Sequence, residues 1–223
     1  MTLAATRPGS IETAQEHAGV FVTLEGGEGS GKSTVLAALS ERLAERGIAY
    51  VGTREPGGTP LGERVRAIVL DLRADIEPLT EALLFIAARA ELVSSLIEPS
   101  LARGDVVICD RFADSTVAYQ GYGRGVDRDV LAQLNAVATR GLVPDLTVLF
   151  DLPAADGLAR SRGQGEADRF EREDLAFHER VHAGYLELAK REPERWLVVD
   201  ATRSVDEVTQ TVRARLEQLL ASR

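Results

Sequence analysis

The chain has 223 residues, 44% of them hydrophobic, and a formal net charge of −9; that is enough apolar material for one sizeable α/β core, and the wrong charge balance for a general nucleic-acid binder, which needs a basic face. A single cysteine excludes an internal disulfide framework, and Cys109 ends the apolar run Val106-Val107-Ile108, so it reads as a buried structural thiol that fits a reducing cytoplasm. No apolar stretch approaches the ~18 residues of a membrane-crossing helix, and residues 1–19 lack the apolar core of a signal peptide and are expected to form a disordered extension.

Beyond that extension, apolar runs alternate with helical periodicity, the pattern of a parallel sheet covered by helices on both faces. Strands are predicted at 20–25, 49–53, 105–109, 145–151 and 196–200, and helices at 32–46, 61–72, 79–102, 127–139, 173–191 and 204–221. No repeat or long Pro/Gly-rich linker interrupts residues 20–223, which are expected to be one domain with a five-stranded sheet. The first strand runs into Gly26-Gly27-Glu28-Gly29-Ser30-Gly31-Lys32-Ser33-Thr34, a P-loop in its strand–loop–helix setting. Its glycines let successive amides turn inward into an anion-binding concavity backed by the positive end of the next helix. Lys32 is placed to reach the β- and γ-phosphates of a nucleoside triphosphate, and Ser33 offers its hydroxyl to Mg²⁺.

The helix over 79–102 carries apolar residues on more than one stripe, among them Leu83, Leu84, Ile86, Leu92 and Ile97, which suits a buried helix or the interface of a homodimer. The strand over 105–109 ends in Asp110-Arg111 at the carboxyl edge of the sheet, where open α/β folds bind ligands. Asp110 is a candidate Mg²⁺ carboxylate, and Arg111 a candidate bidentate phosphate clamp. Further on, Arg160-Ser161-Arg162 is followed by Gly163, Gly165 and Arg169. Arginines flanked by glycines suggest a lid, at about 157–171, that brings positive charge to a transferring phosphoryl group and excludes water. His178-Glu179-Arg180-Val181-His182 matches the H-E-x-x-H spacing of a zinc helix. The only other histidine is His17, in the expected extension, so a third ligand would have to be a Glu or Asp; His178 and His182 are instead read as packing or surface residues beside Leu175 and Tyr185.

Together these segments resemble the thymidylate (dTMP) kinases from about Phe21 onward. The likeness rests on the P-loop, on Thr53-Arg54-Glu55-Pro56-Gly57-Gly58-Thr59, on Leu84-Phe85-Ile86-Ala87-Ala88-Arg89, on the stretch from Asp110-Arg111 through Ser115-Thr116 to Ala118-Tyr119-Gln120-Gly121, and on Pro144-Asp145-Leu146-Thr147. The resemblance implies a three-layer P-loop fold of the nucleoside monophosphate kinase type, which with Mg²⁺ and ATP converts dTMP to dTDP in dTTP biosynthesis. It further implies that Phe85 stacks on thymine, Arg89 bonds its exocyclic oxygen, Thr116 lies near the ring N–H, and Ser115 and Gln120 belong to the same substrate pocket. Tyr119 would lie under the deoxyribose and disfavour a 2′-hydroxyl, Glu28 would contact the 3′-hydroxyl, and Arg54 and Arg111 would hold the acceptor phosphate. The P-loop lacks a basic residue at its variable positions, so the catalytic arginines would come from the lid as Arg160, Arg162 and Arg169. Gln164 stands where related lids often carry a further arginine, which leaves open the lid residue that reaches the phosphoryl group. A kinase for another nucleoside monophosphate would keep every phosphate contact, and a non-catalytic nucleotide-binding module would keep only the P-loop; both remain alternatives. A GTPase-type switch is disfavoured because no Asn-Lys-x-Asp segment is present.

Overall fold

Three strands of this chain are apolar along nearly their whole length, and in the computed structural model they are the central ones of a parallel sheet buried on both faces. The structure describes residues 17–162 and 168–222; most of the expected N-terminal extension and lid residues Gly163, Gln164 and Gly165 lie outside these. The strands are β1 (Val20–Glu25), β2 (Tyr50–Arg54), β3 (Val106–Asp110), β4 (Leu146–Asp151) and β5 (Trp196–Asp200), and they pair in the order β2-β3-β1-β4-β5. Alternation along β1 divides the core into two layers. Val20, Val22 and Leu24 pack with Val35 and Leu39 of α1 (Lys32–Glu45) and Val212 and Leu216 of α9 (Val205–Ala221). On the opposite face Phe21 packs with Leu92, Ile97, Leu101, Val107 and Cys109.

The remaining helices are α2 (Pro60–Leu70), α3 (Pro78–Leu92), α4 (Glu98–Ala102), α5 (Ala113–Thr116), α6 (Arg128–Thr139), α7 (Ala154–Ser161) and α8 (Leu175–Arg191). The single helix predicted over 79–102 is α3 and α4 joined by a π-helical turn, Val93–Ile97. Two elements were not foreseen. One is α5 with its continuation into the π-helical stretch Val117–Gly123, where Tyr119, Gly121 and Gly123 are poor helix formers held by packing of Tyr119 against Phe177, Val181 and Tyr185 of α8. The other is α7, which contains Gly157 and is shorter than the window over which periodicity becomes legible. Among the described residues no helix is long and apolar enough to cross a membrane.

The topology places the functional loops. β3 and β4 flank β1 on opposite sides, so the chain leaves β1 at the switch point where connections diverge and a crevice opens. In the registers, Asp110 sits opposite both Leu24 and Arg54, which brings the P-loop, the Asp110-Arg111 corner and the Arg54-Glu55 segment to one edge. α7 then lies against the outside of the P-loop. A Cβ on Gly157 would stand 2.4 Å from the Glu28 carbonyl oxygen, and one on Gly29 would stand 2.3 Å from the Gly157 carbonyl oxygen.

Gly157→Ala therefore sets two effects against each other. Alanine gains roughly 0.5–1 kcal/mol over glycine in a helix interior, whereas forcing a methyl against backbone costs about 1–3 kcal/mol. The expected outcome is a lowered urea midpoint at unchanged m-value; a raised midpoint would show that the close approach of α7 to the P-loop is not a constraint.

Candidate active site

At the carboxyl edge two cavities meet. One, of about 300 Å³, is lined by the P-loop from Glu28 to Thr34 together with Arg54 and Asp110; the other, of about 100 Å³, is lined by Phe85, Arg89, Ser115, Thr116, Tyr119, Gln120 and Phe170. Glu28, Glu55, Arg66 and Arg111 line both.

The first cavity is a phosphate-shaped concavity with its cation folded inward. Gly26, Gly29 and Gly31 take φ values of 142°, 63° and 93°, conformations that only glycine adopts freely, and these turns bring the loop round to the first turn of α1. Lys32 is 7% exposed, and its Nζ donates to the carbonyls of Gly26 (3.1 Å) and Gly27 (2.8 Å) and to Ser30 Oγ (3.1 Å). Burial and the neighbouring Arg111 bring its pKa down to about 8, against the pull of Asp110, Glu28 and Glu25. Ser33 Oγ donates to Asp110 Oδ2 at 3.1 Å. A hydroxyl and a carboxylate side by side are the hard oxygen donors that Mg²⁺ takes, water supplying the rest of its octahedron.

Arg111 joins the two cavities. It is a non-glycine residue at φ 70°, held by its N–H on Leu24 O at 2.9 Å. From there its guanidinium donates to Gly26 O (3.0 Å) and Glu28 Oε1 (2.8 Å), contacts Tyr185 Oη at 3.3 Å, and lies 4.8 Å from the centroid of the Tyr119 ring. Tyr119 Oη also donates to Glu28, at 2.7 Å. Burial raises the pKa of Glu28, but Arg111, Lys32 and the tyrosine hydroxyl more than offset it and hold the carboxyl down at about 2. Glu25, one turn of the loop earlier, is fully buried. It accepts from Phe112 N (2.8 Å), Ser115 Oγ (2.5 Å) and Tyr185 Oη (3.0 Å), and burial together with repulsion from Asp114 pushes it up to about 7.

The second cavity rests on Arg89, 1% exposed. Its Nε and Nη2 donate to Glu55 Oε2 (2.9 and 2.5 Å), Nη1 to Thr116 Oγ1 (3.0 Å) and Asn135 Oδ1 (2.6 Å), and Nη2 also to Phe112 O (3.0 Å). A guanidinium has five N–H groups, and here each has a protein acceptor. Phe85 and Phe170 face one another across the cavity with centroids 5.9 Å apart, and Phe170 meets the Tyr119 ring edge-on at 5.8 Å.

Of the residues singled out from sequence, those of the P-loop, Arg54, Asp110 and Arg111 gather at the first cavity, and Phe85, Arg89, Ser115, Thr116, Tyr119 and Gln120 at the second. The lid arginines stand elsewhere. Arg160 donates to Ala201 O at 2.9 Å, Arg162 is exposed, and Arg169 donates to Val69 O at 3.0 Å and pairs with Glu81. The two histidines of the H-E-x-x-H match are also separate: His182 Nε2 lies 2.6 Å from Asp151 Oδ1, and His178 packs edge-on against Phe177 at 5.3 Å. Sequence reasoning missed Arg66, Phe170 and Glu55 as cavity walls. Arg66 lies one turn after Gly62, the α2 position whose Cβ would stand 2.5 Å from Gly57 O, so both belong to the helix face that meets the 54–59 loop.

Comparison with known proteins agrees with this geometry. A family model described as thymidylate kinase matches residues 24–212. The chain is 54% identical over 200 residues to a thymidylate kinase of Deinococcus radiodurans, spanning 90% of this chain and 97% of that one. It is 50% identical over 208 residues to a thymidylate kinase of Desulfosudis oleivorans, again across 90% and 97%. Among solved structures, a thymidylate kinase from Ehrlichia chaffeensis superposes with a TM-score of 0.75 at 37% identity, covering 89% of this chain and 98% of the other. Both the pattern of residues around the two cavities and these matches, which run nearly end to end, lead to one assignment: the chain belongs to the thymidylate kinase family.

Proposed function

We propose that this chain transfers the γ-phosphoryl group of ATP to the phosphate of dTMP, releasing ADP and dTDP for dTTP synthesis. The observation that carries this reading is the shared wall at Arg111 and Glu28: a triphosphate in the P-loop and a nucleotide whose base lies against Phe85 bring their phosphates together over one guanidinium. The acceptor oxygen is already anionic, so no side-chain nucleophile is required; the protein must align two polyanions and offset their repulsion. Loop amides and the α1 N-terminus receive the donor phosphates. Lys32 exchanges its loop carbonyls for a phosphate oxygen, and Arg54 and Arg111 hold the acceptor. Ser33 and Asp110 would hold Mg²⁺, which when bound neutralises charge on the bridging phosphate oxygens. Residues 20–223 act as one kinase domain, with 157–171 as its lid. Within the lid Arg160 and Arg162 are assigned to the transferred phosphoryl group, and Arg169, held by Glu81, to the base side.

Base choice follows from hydrogen-bond polarity. Thr116 Oγ1 accepts from Arg89, so its own O–H remains to donate to a ring carbonyl, and Arg89 acts on the base through that hydroxyl. Gln120 donates its amide nitrogen to Glu81 at 2.8 Å, which leaves its oxygen for a ring N–H. Tyr119, fixed by Glu28, is assigned to the deoxyribose, where its bulk would disfavour a 2′-hydroxyl. The enzyme is assigned as a cytoplasmic homodimer. Leu79 and Leu83 of α3 are 40% and 44% exposed, flanked by Leu61 and Ile68 of α2 and Val130 and Val137 of α6, and α2 and α6 both pack on α3, so these side chains form one outward apolar face that a second copy would cover.

Three outcomes are expected. ADP release from Mg·ATP should be strongest with dTMP in a panel including dUMP, CMP, AMP and GMP, and Lys32→Ala should depress it by about 10³-fold or more with the circular dichroism unchanged; near-normal turnover in that variant would sink the mechanism. Protonated Lys32 is the phosphate-binding form, so ATP affinity should be full below pH 8 and fall by up to about tenfold per pH unit above it, the free-enzyme pKa being about 8; calorimetric titration of Lys32→Met should lack that limb. Sedimentation should give a dimer that Leu83→Glu converts to monomer, and a wild-type monomer at micromolar concentration would remove the dimer from this reading.

A further inference from the structure

Glu81 of α3 lies behind the base-side cavity, is wholly inaccessible to solvent, and belongs to none of the sets of residues assigned above to phosphate or base. It collects three donors from two other segments. Gln120 Nε2 approaches from the π-helical stretch at 2.8 Å, Arg124 Nε at 3.3 Å, and Arg169 Nη2 from the turn that precedes α8. An ionised carboxylate can only accept; the end of the Gln120 amide that faces it must be the nitrogen. The oxygen is thereby turned the other way. It has no protein partner among the described residues, although the side chain is only 2% exposed and lines the cavity.

Thymine presents an N3–H donor beside a C4 carbonyl acceptor, whereas cytosine presents an N3 acceptor beside a C4 amino donor. An inward amide oxygen matches the N3–H of the first pattern and meets the bare N3 of the second acceptor to acceptor, whereas the threonine hydroxyl, with its O–H and a second lone pair beside the one Arg89 uses, can serve either C4 group. Free rotation of the amide would erase that discrimination, because a glutamine turned over offers its nitrogen to a cytosine N3. We propose that Glu81 is a positioning residue for base selection: by holding the Gln120 nitrogen it fixes the amide oxygen toward the base, so that a pyrimidine monophosphate with N3–H is accepted and one with a bare N3 is refused. Arg124 and Arg169 balance its charge, so the same carboxylate ties the 168–172 turn to the reader of the base. The inference rests on the dTMP reading given above.

The test compares kcat/KM for dTMP and dCMP in the wild type, Glu81→Gln and Gln120→Met. An amide in place of the carboxylate both donates and accepts, so Gln120 can turn. In Glu81→Gln the dTMP-to-dCMP ratio should fall at least about tenfold, the worth of one buried mismatched hydrogen bond, and kcat/KM for dCMP should rise in absolute terms, which mere structural damage does not produce. An unchanged ratio, or a parallel fall for both substrates, overturns the proposal. Gln120→Met separates the two levels: if it leaves the ratio at the wild-type value, the base reading itself fails, and if it collapses the ratio while Glu81→Gln does not, only the role of Glu81 fails. Where Glu81→Gln alone does not fold, the swap Glu81→Gln with Gln120→Glu carries the test. It keeps the net charge and again presents an acceptor to the base whichever way the group turns, so selectivity for dTMP should be retained; lost selectivity in a folded swap overturns the proposal equally.

Discussion

Arg111 is the residue on which the rest of the site depends. Two carboxylates, buried Glu25 at the end of β1 and half-buried Glu28 in the P-loop, stand close together, and either alone would be costly to keep away from water. Arg111 contacts Glu28 directly and reaches Glu25 through Tyr185, whose hydroxyl donates to it. To do this the backbone at Arg111 is left-handed, at φ 70°, a conformation that costs a non-glycine residue of order 1–2 kcal/mol. The strain is sustained by the hydrogen bond from its N–H to Leu24, which carries the β1–β3 pairing one residue past the end of β3. The corner after β3 thus aims a guanidinium back across the top of β1, into the opening through which the P-loop passes.

This arrangement also explains what could and could not be read from the amino-acid order. Strands β1, β3 and β4 were legible because burial on both faces forces continuous apolar runs, and the P-loop because its glycine positions are set by local backbone geometry. Asp110-Arg111 was legible because it ends such a run. What escaped was decided by contacts distant in sequence. Residues 113–123 form a helix with a π-helical continuation because α8 packs on Tyr119, against the low helix propensity of Tyr and Gly; nothing in their own order requires it. Arg66 and Phe170 face the site because of how α2 and the turn before α8 dock. Glu81 stands in the first turn of α3, and only the packing of α3 against α6 and the π-helical stretch makes it inaccessible.

Arg89 is the base-side residue whose protein partners are most complete. Read from the motif alone it is a ligand for the exocyclic oxygen of the base; in the structure all five of its N–H groups are already taken by Glu55, Thr116, Asn135 and Phe112. A guanidinium this deep cannot be left with unpaired donors, because each one would cost about 1–3 kcal/mol. The fold therefore completes its partners, and in the proposed complex the positive charge would act on the base through the Thr116 hydroxyl whose polarity it sets.

The two halves of the site consequently work by different physics. On the phosphate side each cation is paired with something a phosphate can replace: Lys32 with loop carbonyls, Arg54 with the half-exposed Glu63, Arg111 in part with a carbonyl. These partners hold several like charges in one cleft, where two unit charges 4 Å apart repel by about 4 kcal/mol at an effective dielectric constant of 20, and in the proposed reaction they would release them when polyanions arrive. On the base side nothing is provisional. Arg89 and Glu81 are saturated and inaccessible, and on the proposed reading they would orient Thr116 and Gln120 before any ligand enters. Exchange suits phosphates, which are alike in every nucleotide and must be moved during the reaction, whereas a fixed pattern suits the base, which must be recognised and then left unchanged.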